Sequence, residues 1–482
     1  MAMPVERANG KYRMVDNLHP RSREGKPGPI LGGRTMTCPS RLIAARPSPG
    51  DLPTAPPNPL SPRPRPVITI RPIRRALVPV DAAAADRVSA PNYDEFQSDE
   101  EVRALIRRTP ECVLRVTMPH CDPGVGDEVA ADSPLALARA AANMRALTAS
   151  DSLRAATDLL YVYRIGDPAR PGVDQIGLGG MARIDEIRTD ARPTAPIIRN
   201  EGVREPKARG RAQLIEATSA FIGTVNCAVP DTSGGFARAL ERLASERAPD
   251  HGADDARSCR HDIWLIDDPS IQALLIDLAA AEPEAYVADG NHRSAAAAML
   301  DREHFLCVFF PLARMSLAPY NRLVRDVGLD DEVVLAGLRK RFAIEEVPGA
   351  HQPARTHHIG LYSGRAWYCL RPLPGSYDQR NAVECIDADI VQRNFFDAVL
   401  GIAEPGDHRL NFVGGDRDLE FLQAGVDSGE YRYAVTLAPV TLRQFAAVCR
   451  QNRIMPPKST WFQPKIRSGL VIALEEESAQ PE

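Results

Sequence analysis

The sequence predicts a mixed α/β fold in which short strands alternate with helices along a chain of 482 residues. Runs of β-branched and apolar residues recur between alanine-rich stretches that favour helix. No internal repeat is present, which argues against a solenoid or a propeller. The hydrophobic content of 44% is enough, at this length, to form a sizeable core. Alternating strands and helices without a repeat indicate the α/β or mixed α+β class.

The individual elements follow from local patterns. Ser98 begins a predicted helix, because a serine cap followed three residues later by Glu101 is typical of a capping box. Further helices are predicted from helix-forming composition at 81–88, 134–158, 210–217, 269–281, 294–299 and 389–400. Strands are predicted from apolar or β-branched runs at 67–70, 112–116, 159–163, 177–182, 263–266, 285–288, 305–310 and 433–437. The polar run from Ala248 to Cys259 is predicted to be a surface loop.

Composition also divides the chain into segments. Residues 1–65 are rich in Pro and Arg and offer little apolar periodicity, so a disordered tail is expected, with a basic arm for an acidic partner as the alternative. The remaining divisions are an N-terminal lobe at 66–190, a core at 191–325, a C-terminal lobe at 326–475 and a tail at 476–482.

Charge and cysteine content exclude several classes of protein. Lys plus Arg number 59 and Asp plus Glu 63, and the net charge of -4 argues against a globally basic nucleic-acid binder. No run of about 18 apolar residues occurs, so no membrane-spanning helix is predicted. The scattered cysteines form no CxxC pair, which argues against a zinc ribbon or a disulfide framework. We therefore expect a cytoplasmic protein without a nucleic-acid or membrane partner.

The most informative segment runs from Glu284 to Leu300. An apolar strand ends at Asp289, Gly290 permits a turn with positive φ, and a helix follows, so backbone N–H groups at the helix N-terminus favour an anion. The predicted nucleotide-binding residues are Gly290, Asn291, His292, Arg293 and Ser294. Asp289 fits this site if Mg²⁺ accompanies the nucleotide, or if its carboxylate accepts a hydrogen bond from a substrate. The alternative is a plain turn, capped by Asp289, with solvated His292 and Arg293.

Three segments together resemble one family. The loop V-A-D-G-N-H-R-S (287–294) resembles the D-G-H-H-R loop of the DUF1015 family, which also occurs in free-serine kinases of the ParB/sulfiredoxin-like superfamily. The segment I-I-R-N-E (197–201) resembles the family's (K/R)-H-E segment. The segment M-P-P-K-S-T-W-F-Q-P-K (455–465) matches the signature M-P-P-K-S-T-x-F-x-P-K nearly letter for letter. Asn200 and Asn291 stand where the family usually has His.

The resemblance implies a ParB/sulfiredoxin-like nucleotide-binding core at 191–325 with flanking lobes. It further implies an ATP-dependent kinase that phosphorylates the hydroxyl of a free amino acid, most simply L-serine, with Mg²⁺. Glu201 would then act on the acceptor hydroxyl, with Asp289 as a second catalytic residue. Lys458, Ser459 and Thr460 would bind the acceptor. The segments 197–218 and 285–300 are therefore expected to meet, with Glu201 facing the loop at 289–293.

Other interpretations stay open. Glu201 alone fits an ordinary first-turn helix glutamate, and the segment at 458–460 fits a structural turn with a surface lysine. An NTP-binding switch of the ParB type is one alternative function, and a degraded, non-catalytic paralogue, suggested by the two Asn replacements, is another. Serine, threonine, homoserine and a pathway intermediate stay open as acceptors, as do ATP, ADP and another NTP as donors. The chain lacks a Walker loop and the protein-kinase H-R-D and D-F-G motifs, which excludes those kinase classes.

Overall fold

The computed structural model describes residues 68–126, 129–300 and 302–475. All of them belong to the unit that spans residues 62–482. The predicted tails at 1–65 and 476–482 lie outside the described residues. Within the described ranges, no helix is both long enough and apolar enough to cross a membrane.

A 12-stranded mixed sheet forms the centre of this unit. Its strands, numbered in chain order, are β1 (Ile70–Arg71), β2 (Ile73–Pro79), β3 (Leu153–Gly166), β4 (Gln175–Arg183), β5 (Ile197–Ile198), β6 (Ala220–Phe221), β7 (Val225–Val229), β8 (His251–Asp254), β9 (Arg260–Ile266), β10 (Ala285–Asp289), β11 (His304–Pro311) and β20 (Ile472–Leu474). The main path runs β5-β10-β7-β11-β4-β3-β2-β20-β6, with β1 and β9 paired to its central strands and β8 paired to β9. The pairs β5–β10 and β7–β11 are parallel, and the other pairs are antiparallel.

A second sheet of six strands is antiparallel, in the order β14-β16-β15-β18-β13-β17. These strands are β13 (Asn321–Val324), β14 (Phe342–Val347), β15 (Ile359–Tyr362), β16 (Trp367–Pro372), β17 (Leu410–Val413) and β18 (Tyr433–Leu437). A separate short pair joins β12 (Leu317–Ala318) to β19 (Trp461–Phe462). Since β20 lies in the first sheet and β19 pairs with β12, the C-terminal residues return to the centre of the fold.

Helices pack around both sheets. They are α1 (Ala82–Val88), α2 (Asp99–Arg108), α3 (Leu114–Thr117), α4 (Pro134–Thr148), α5 (Glu205–Thr218), α6 (Gly235–Glu246), α7 (Pro269–Ala280), α8 (Asn291–Met299), α9 (Asp331–Leu338), α10 (Asp387–Val391), α11 (Leu419–Asp427) and α12 (Leu442–Arg450). A π-helical turn, Gln392–Asp397, continues α10. Strands and helices alternate as the sequence predicts, and the mixed α/β class is confirmed.

Hydrogen bonding in the large sheet crosses the predicted segment boundaries. Its strands come from 66–190, from 191–325 and, through β20, from 326–475. The division of the chain into an N-terminal lobe, a core and a C-terminal lobe stays a prediction, and the sheet joins parts of all three.

Three local predictions are wrong. The predicted helix at 134–158 ends at Thr148, and its last six residues belong to β3, which begins at Leu153. The predicted strand at 112–116 is mostly helical, with α3 beginning at Leu114, because a short apolar run is compatible with either a buried strand or a buried helix. The predicted loop at 248–259 contains β8, paired with β9. The polar composition of this run hides the strand. In the structure, buried His251 binds the Leu470 carbonyl oxygen at 2.9 Å, and Gly252 lies directly against the His261 backbone.

The glycines of β4 allow the central strands to carry large side chains. A Cβ atom at Gly179 would lie 2.1 Å from the buried ring of Tyr161 on β3. The Gly179 backbone and the buried Tyr161 ring cannot move apart without disturbing neighbouring residues, because β4 lies between β3 and β11. We therefore infer that the register of the central sheet depends on the absence of a side chain at this position.

Gly179→Ala is expected to destabilise the fold by about 1–3 kcal/mol, the usual cost of overpacking a core. Chemical denaturation of the full chain measures this change. Gly349→Ala is the matched control, because a Cβ atom there meets nothing within 4 Å. Equal stability of both variants would show that the Tyr161 ring can shift.

Candidate active site

Three distant segments meet at one edge of the large sheet. The parallel strands β5 and β10 pair Ile197 with Ala285, so the residues that follow each strand leave the sheet at the same edge. Asn200 and Glu201 follow β5, and the glycine loop follows β10. Met455 donates its backbone N–H to the Asn200 carbonyl oxygen at 2.8 Å, which brings the C-terminal signature to the same place. The predicted meeting of 197–218 with 285–300 is confirmed.

The glycine loop has the predicted conformation. Gly290 adopts a φ of 94° and precedes α8. A Cβ atom there would lie 3.0 Å from the Arg293 side chain, so both the backbone and the space require glycine. Among the described residues, no side chain caps the helix start at Gly290, so the first N–H groups of α8 have no intrahelical acceptor. This end of α8 can accept an anion.

Asn291 and His292 contact the segment that follows β5. The Asn291 amide donates to the Asn200 side chain at 3.2 Å. Asn200 is completely buried, and its Nδ2 atom, like Oδ1 of Asn291, has no partner among the described residues. Half-buried His292 accepts a hydrogen bond at Nε2 from the Arg204 backbone N–H at 3.2 Å, and a neutral ring then carries its proton on Nδ1.

The structure places the Arg293 and Ser294 side chains inside the loop, whereas the sequence predicted that they bind phosphate. The Arg293 guanidinium is buried and binds the Asp289 carboxylate, the Thr224 carbonyl oxygen and the Asn92 side chain. The Ser294 hydroxyl donates to the Asn291 carbonyl oxygen at 3.0 Å, and its N–H donates to the Gly290 carbonyl oxygen at 2.8 Å. Both side chains therefore stabilise the loop from within. The sequence could not predict this, because a position in the first helical turn does not determine on which side its side chain lies.

Asp289 accepts hydrogen bonds from two cations. Its Oδ1 atom lies 2.7 Å from the Lys465 ammonium, and its Oδ2 atom binds Arg293. The three side chains are each less than a tenth exposed. The Lys465 ammonium also lies 4.5 Å from the centre of the Trp461 ring. Sequence reasoning quoted Lys465 within the C-terminal signature but assigned it no role. The near-exact match of that segment to the family signature was the feature that could have identified it.

Glu201 faces the C-terminal signature. One carboxylate oxygen accepts the Lys458 backbone N–H at 3.2 Å. Burial raises the pKa of the Glu201 carboxyl, and the nearby negative charge of Asp289 raises it further, whereas the Lys458 and Lys465 cations oppose this. A carboxylate with a raised pKa is a stronger base than an ordinary glutamate, which suits it to accept a proton.

The segment at 458–460 forms a strained turn. Lys458 adopts a φ of 59°, an uncommon conformation for a residue with a side chain. Contacts on both sides hold it there: Ser459 donates to the Pro456 carbonyl oxygen at 2.7 Å, and buried Arg322 donates to the Lys458 carbonyl oxygen at 3.0 Å. Half-buried Thr460 follows, directly before β19. Strain held by its surroundings is typical of ligand-binding turns.

Buried Arg322 contacts the Lys458 turn and its neighbours. Its guanidinium is 3% exposed, and burial lowers its pKa to about 10. It lies 4.5 Å from the centre of the Phe412 ring and also donates to the Tyr320 carbonyl oxygen. Arg322 therefore positions the Lys458 turn.

Comparison with known proteins gives a family and several solved structures. The family model described as protein of unknown function (DUF1015) matches residues 70–391. The sequence matches no curated protein. Three solved structures each align with 61% of this chain: a free serine kinase in complex with AMP (12% identity, TM-score 0.34, 92% of that chain), a conserved hypothetical protein from Pyrococcus furiosus (11%, 0.33, 95%) and C-terminally truncated SbnI from Staphylococcus aureus (11%, 0.33, 87%). Likeness at this distance assigns no activity to the chain.

Arg293→Ala is expected to destabilise the fold by about 3–5 kcal/mol, because it leaves the buried Asp289 carboxylate with only one of its two cations. Chemical denaturation measures the change. Arg242→Ala is the control, since the exposed Arg242–Glu246 pair contributes less than about 1 kcal/mol. A small loss of stability in Arg293→Ala would indicate a solvated arginine, as in the alternative interpretation of the loop.

Proposed function

The chain belongs to the DUF1015 family, and from the geometry of the cleft we propose that it transfers the γ-phosphoryl group of ATP to the hydroxyl of a small amino acid, most simply L-serine. The observation that carries the proposal is the position of the Glu201 carboxylate. It accepts the Lys458 backbone N–H at 3.2 Å, and it lies close enough to Asp289, the residue before Gly290, for that charge to raise its pKa. Phosphoryl transfer requires mainly the positioning of groups and the neutralisation of charge, and this cleft supplies both.

The nucleotide phosphates would bind at the start of α8. The N–H groups of its first turn and the dipole of the helix favour negative charge there, and His292 lies beside them. Lys465 adds a cation at the same edge. Its ammonium, bound to Asp289, would add positive charge near the phosphates. Lys465 thus takes the place that Arg293 held in the sequence-based hypothesis.

The Asp289 carboxylate fits Mg²⁺ held chiefly by a nucleotide. Magnesium commonly binds through one or two carboxylates together with phosphates and water. Asp289 is in hydrogen-bond contact with two cations, but each of its oxygens has a second lone pair. When bound there, Mg²⁺ would neutralise phosphate charge.

The acceptor would bind on the Lys458 side. Glu201 would accept the proton of the acceptor hydroxyl as the oxygen attacks the γ-phosphorus, so the proton leaves the nucleophile and ADP carries the electron pair of the broken bond. Lys458, with Thr460, would bind the acceptor carboxylate through a charge-assisted hydrogen bond. The Arg322 contact would keep this turn in place while substrate enters and product leaves.

Glu201→Gln is expected to lower kcat by roughly 10²–10⁴ with little change in ATP affinity, because the amide keeps the size of the side chain but accepts a proton poorly. Lys458→Ala is expected to raise mainly the KM for the amino acid, since a carboxylate contact acts in ground and transition states alike. Steady-state assays of phospho-amino-acid formation measure both changes.

Glu205→Gln is the control, because Glu205 is exposed in the first turn of α5 and pairs with Arg209. Turnover of Glu201→Gln close to wild type would contradict the assignment of the base and favour Asp289. Release of inorganic phosphate without any phospho-amino acid would favour the nucleotide-dependent switch instead.

The rate should also depend on pH through Glu201. A raised pKa keeps the carboxyl protonated, and therefore inactive as a base, to higher pH than the ordinary glutamate value of about 4.3. The rate is therefore expected to fall as the pH decreases through a midpoint above that value. Lys458→Ala removes a cation that lowers this pKa and should move the midpoint upward. A profile unchanged in Lys458→Ala would show that another group controls it.

A further inference from the structure

A small cavity adjoins the Lys458 turn. Its volume is about 10 Å³, room for one water-sized group, and its lining includes Tyr320, Thr356, Asp387, Val440 and Ser459. Ser459 directly follows Lys458, whose N–H binds Glu201, and the Tyr320 ring centre lies 5.6 Å from the Lys458 ammonium. The cavity therefore borders the region in which the acceptor would bind.

Asp387 is the charged group of this cavity. It is 4% exposed, and its Oδ1 atom accepts the His357 backbone N–H at 2.8 Å. Its Oδ2 atom is completely buried, and no residue in the described ranges forms a hydrogen bond with it. Burial raises the pKa of this carboxyl to about 7. A buried carboxylate oxygen without a donor is costly, and a cation that enters the cavity would remove that cost.

The lining favours one kind of cation. A magnesium ion requires octahedral oxygen coordination, and this cavity offers one carboxylate. A primary ammonium group requires a carboxylate and a few further acceptors, and two residues that carry hydroxyls, Tyr320 and Thr356, line the same space. The neighbouring Ala438, Pro439 and Val440 leave room only for a compact group.

We propose that Asp387 binds the ammonium group of the amino-acid acceptor, with the cavity beside Ser459 as the ammonium subsite. The inference rests on the proposed function and deepens it. The acceptor is a zwitterion whose carboxylate binds Lys458 and Thr460, whose ammonium binds Asp387 and whose hydroxyl reaches Glu201. A hydroxy acid, which carries a hydroxyl in place of the ammonium, leaves the Asp387 carboxylate without a cation and is rejected.

Calorimetric titration of the full chain, with and without ADP, tests the subsite. The probes are L-serine, L-threonine and L-homoserine, each compared with the hydroxy acid in which a hydroxyl replaces the ammonium. At least one amino acid is expected to bind, and its hydroxy acid should bind about ten- to a hundredfold more weakly, the usual effect of losing a charge-assisted hydrogen bond. Because this comparison uses the wild-type chain, it does not depend on the folding of any variant.

Asp387→Asn is the matching variant, since its Oδ1 atom can still accept the His357 N–H. It should lose about ten- to a hundredfold in amino-acid affinity, with ATP affinity and hydroxy-acid affinity unchanged. Asp397→Asn, an exposed position in the same helical segment, is the control and should behave as wild type. Equal affinity for an amino acid and its hydroxy acid, equal affinity in wild type and Asp387→Asn, or binding by none of the three amino acids overturns the subsite.

The assay of phosphoryl transfer separates this inference from the proposed function. Amino-acid binding that depends on Asp387, without any transfer from ATP, supports the subsite and contradicts the kinase. Transfer with an unchanged KM in Asp387→Asn supports the kinase and overturns the subsite.

Discussion

The buried charges around Asp289 are the interaction on which the candidate site depends. Asp289 ends β10, Arg293 lies one turn into α8, and Lys465 belongs to the segment after β19. Each ion alone would lose several kcal/mol of hydration in this position, so none is tolerated without the others. The three contacts therefore join the glycine loop, its helix and the C-terminal segment into one unit, and the carboxylate is held at the edge of the sheet where the cleft begins.

The C-terminal segment completes the site because the rest of the fold holds it in an unfavourable conformation. Lys458 in a left-handed conformation costs of order 1–3 kcal/mol, which its own short segment cannot offset. The offset comes from elsewhere, through Met455 bound to Asn200, Arg322 bound to the Lys458 carbonyl oxygen, and β20 paired within the large sheet. A turn fixed from three directions can present its N–H, ammonium and hydroxyl groups at fixed positions, as the recognition of a small ligand requires.

Sequence reasoning predicted the parts of the site that local chemistry determines. Gly290 follows from the backbone requirement of a strand-to-helix turn, and the meeting of Glu201 with the loop follows from the resemblance of two segments to one family. Sequence reasoning could not determine the directions of the Arg293 and Ser294 side chains, because helical spacing places a residue on the helix but does not identify its hydrogen-bond partner. Asp387 was missed entirely. It lies about seventy residues before the signature, outside any motif. Only the fold places it in one cavity lining with Ser459, with its Oδ2 atom buried and without a partner among the described residues.

The charges of the cleft couple the two halves of the proposed reaction. Lys458 and Lys465 place positive charge beside Glu201, which favours the binding of an anion. Phosphates at the start of α8 would add negative charge near Glu201, whose pKa the charge of Asp289 already raises. A further like charge raises it more, which makes the carboxylate a stronger base. The nucleotide would therefore activate the group that removes the acceptor proton, and in its absence that group would be less basic.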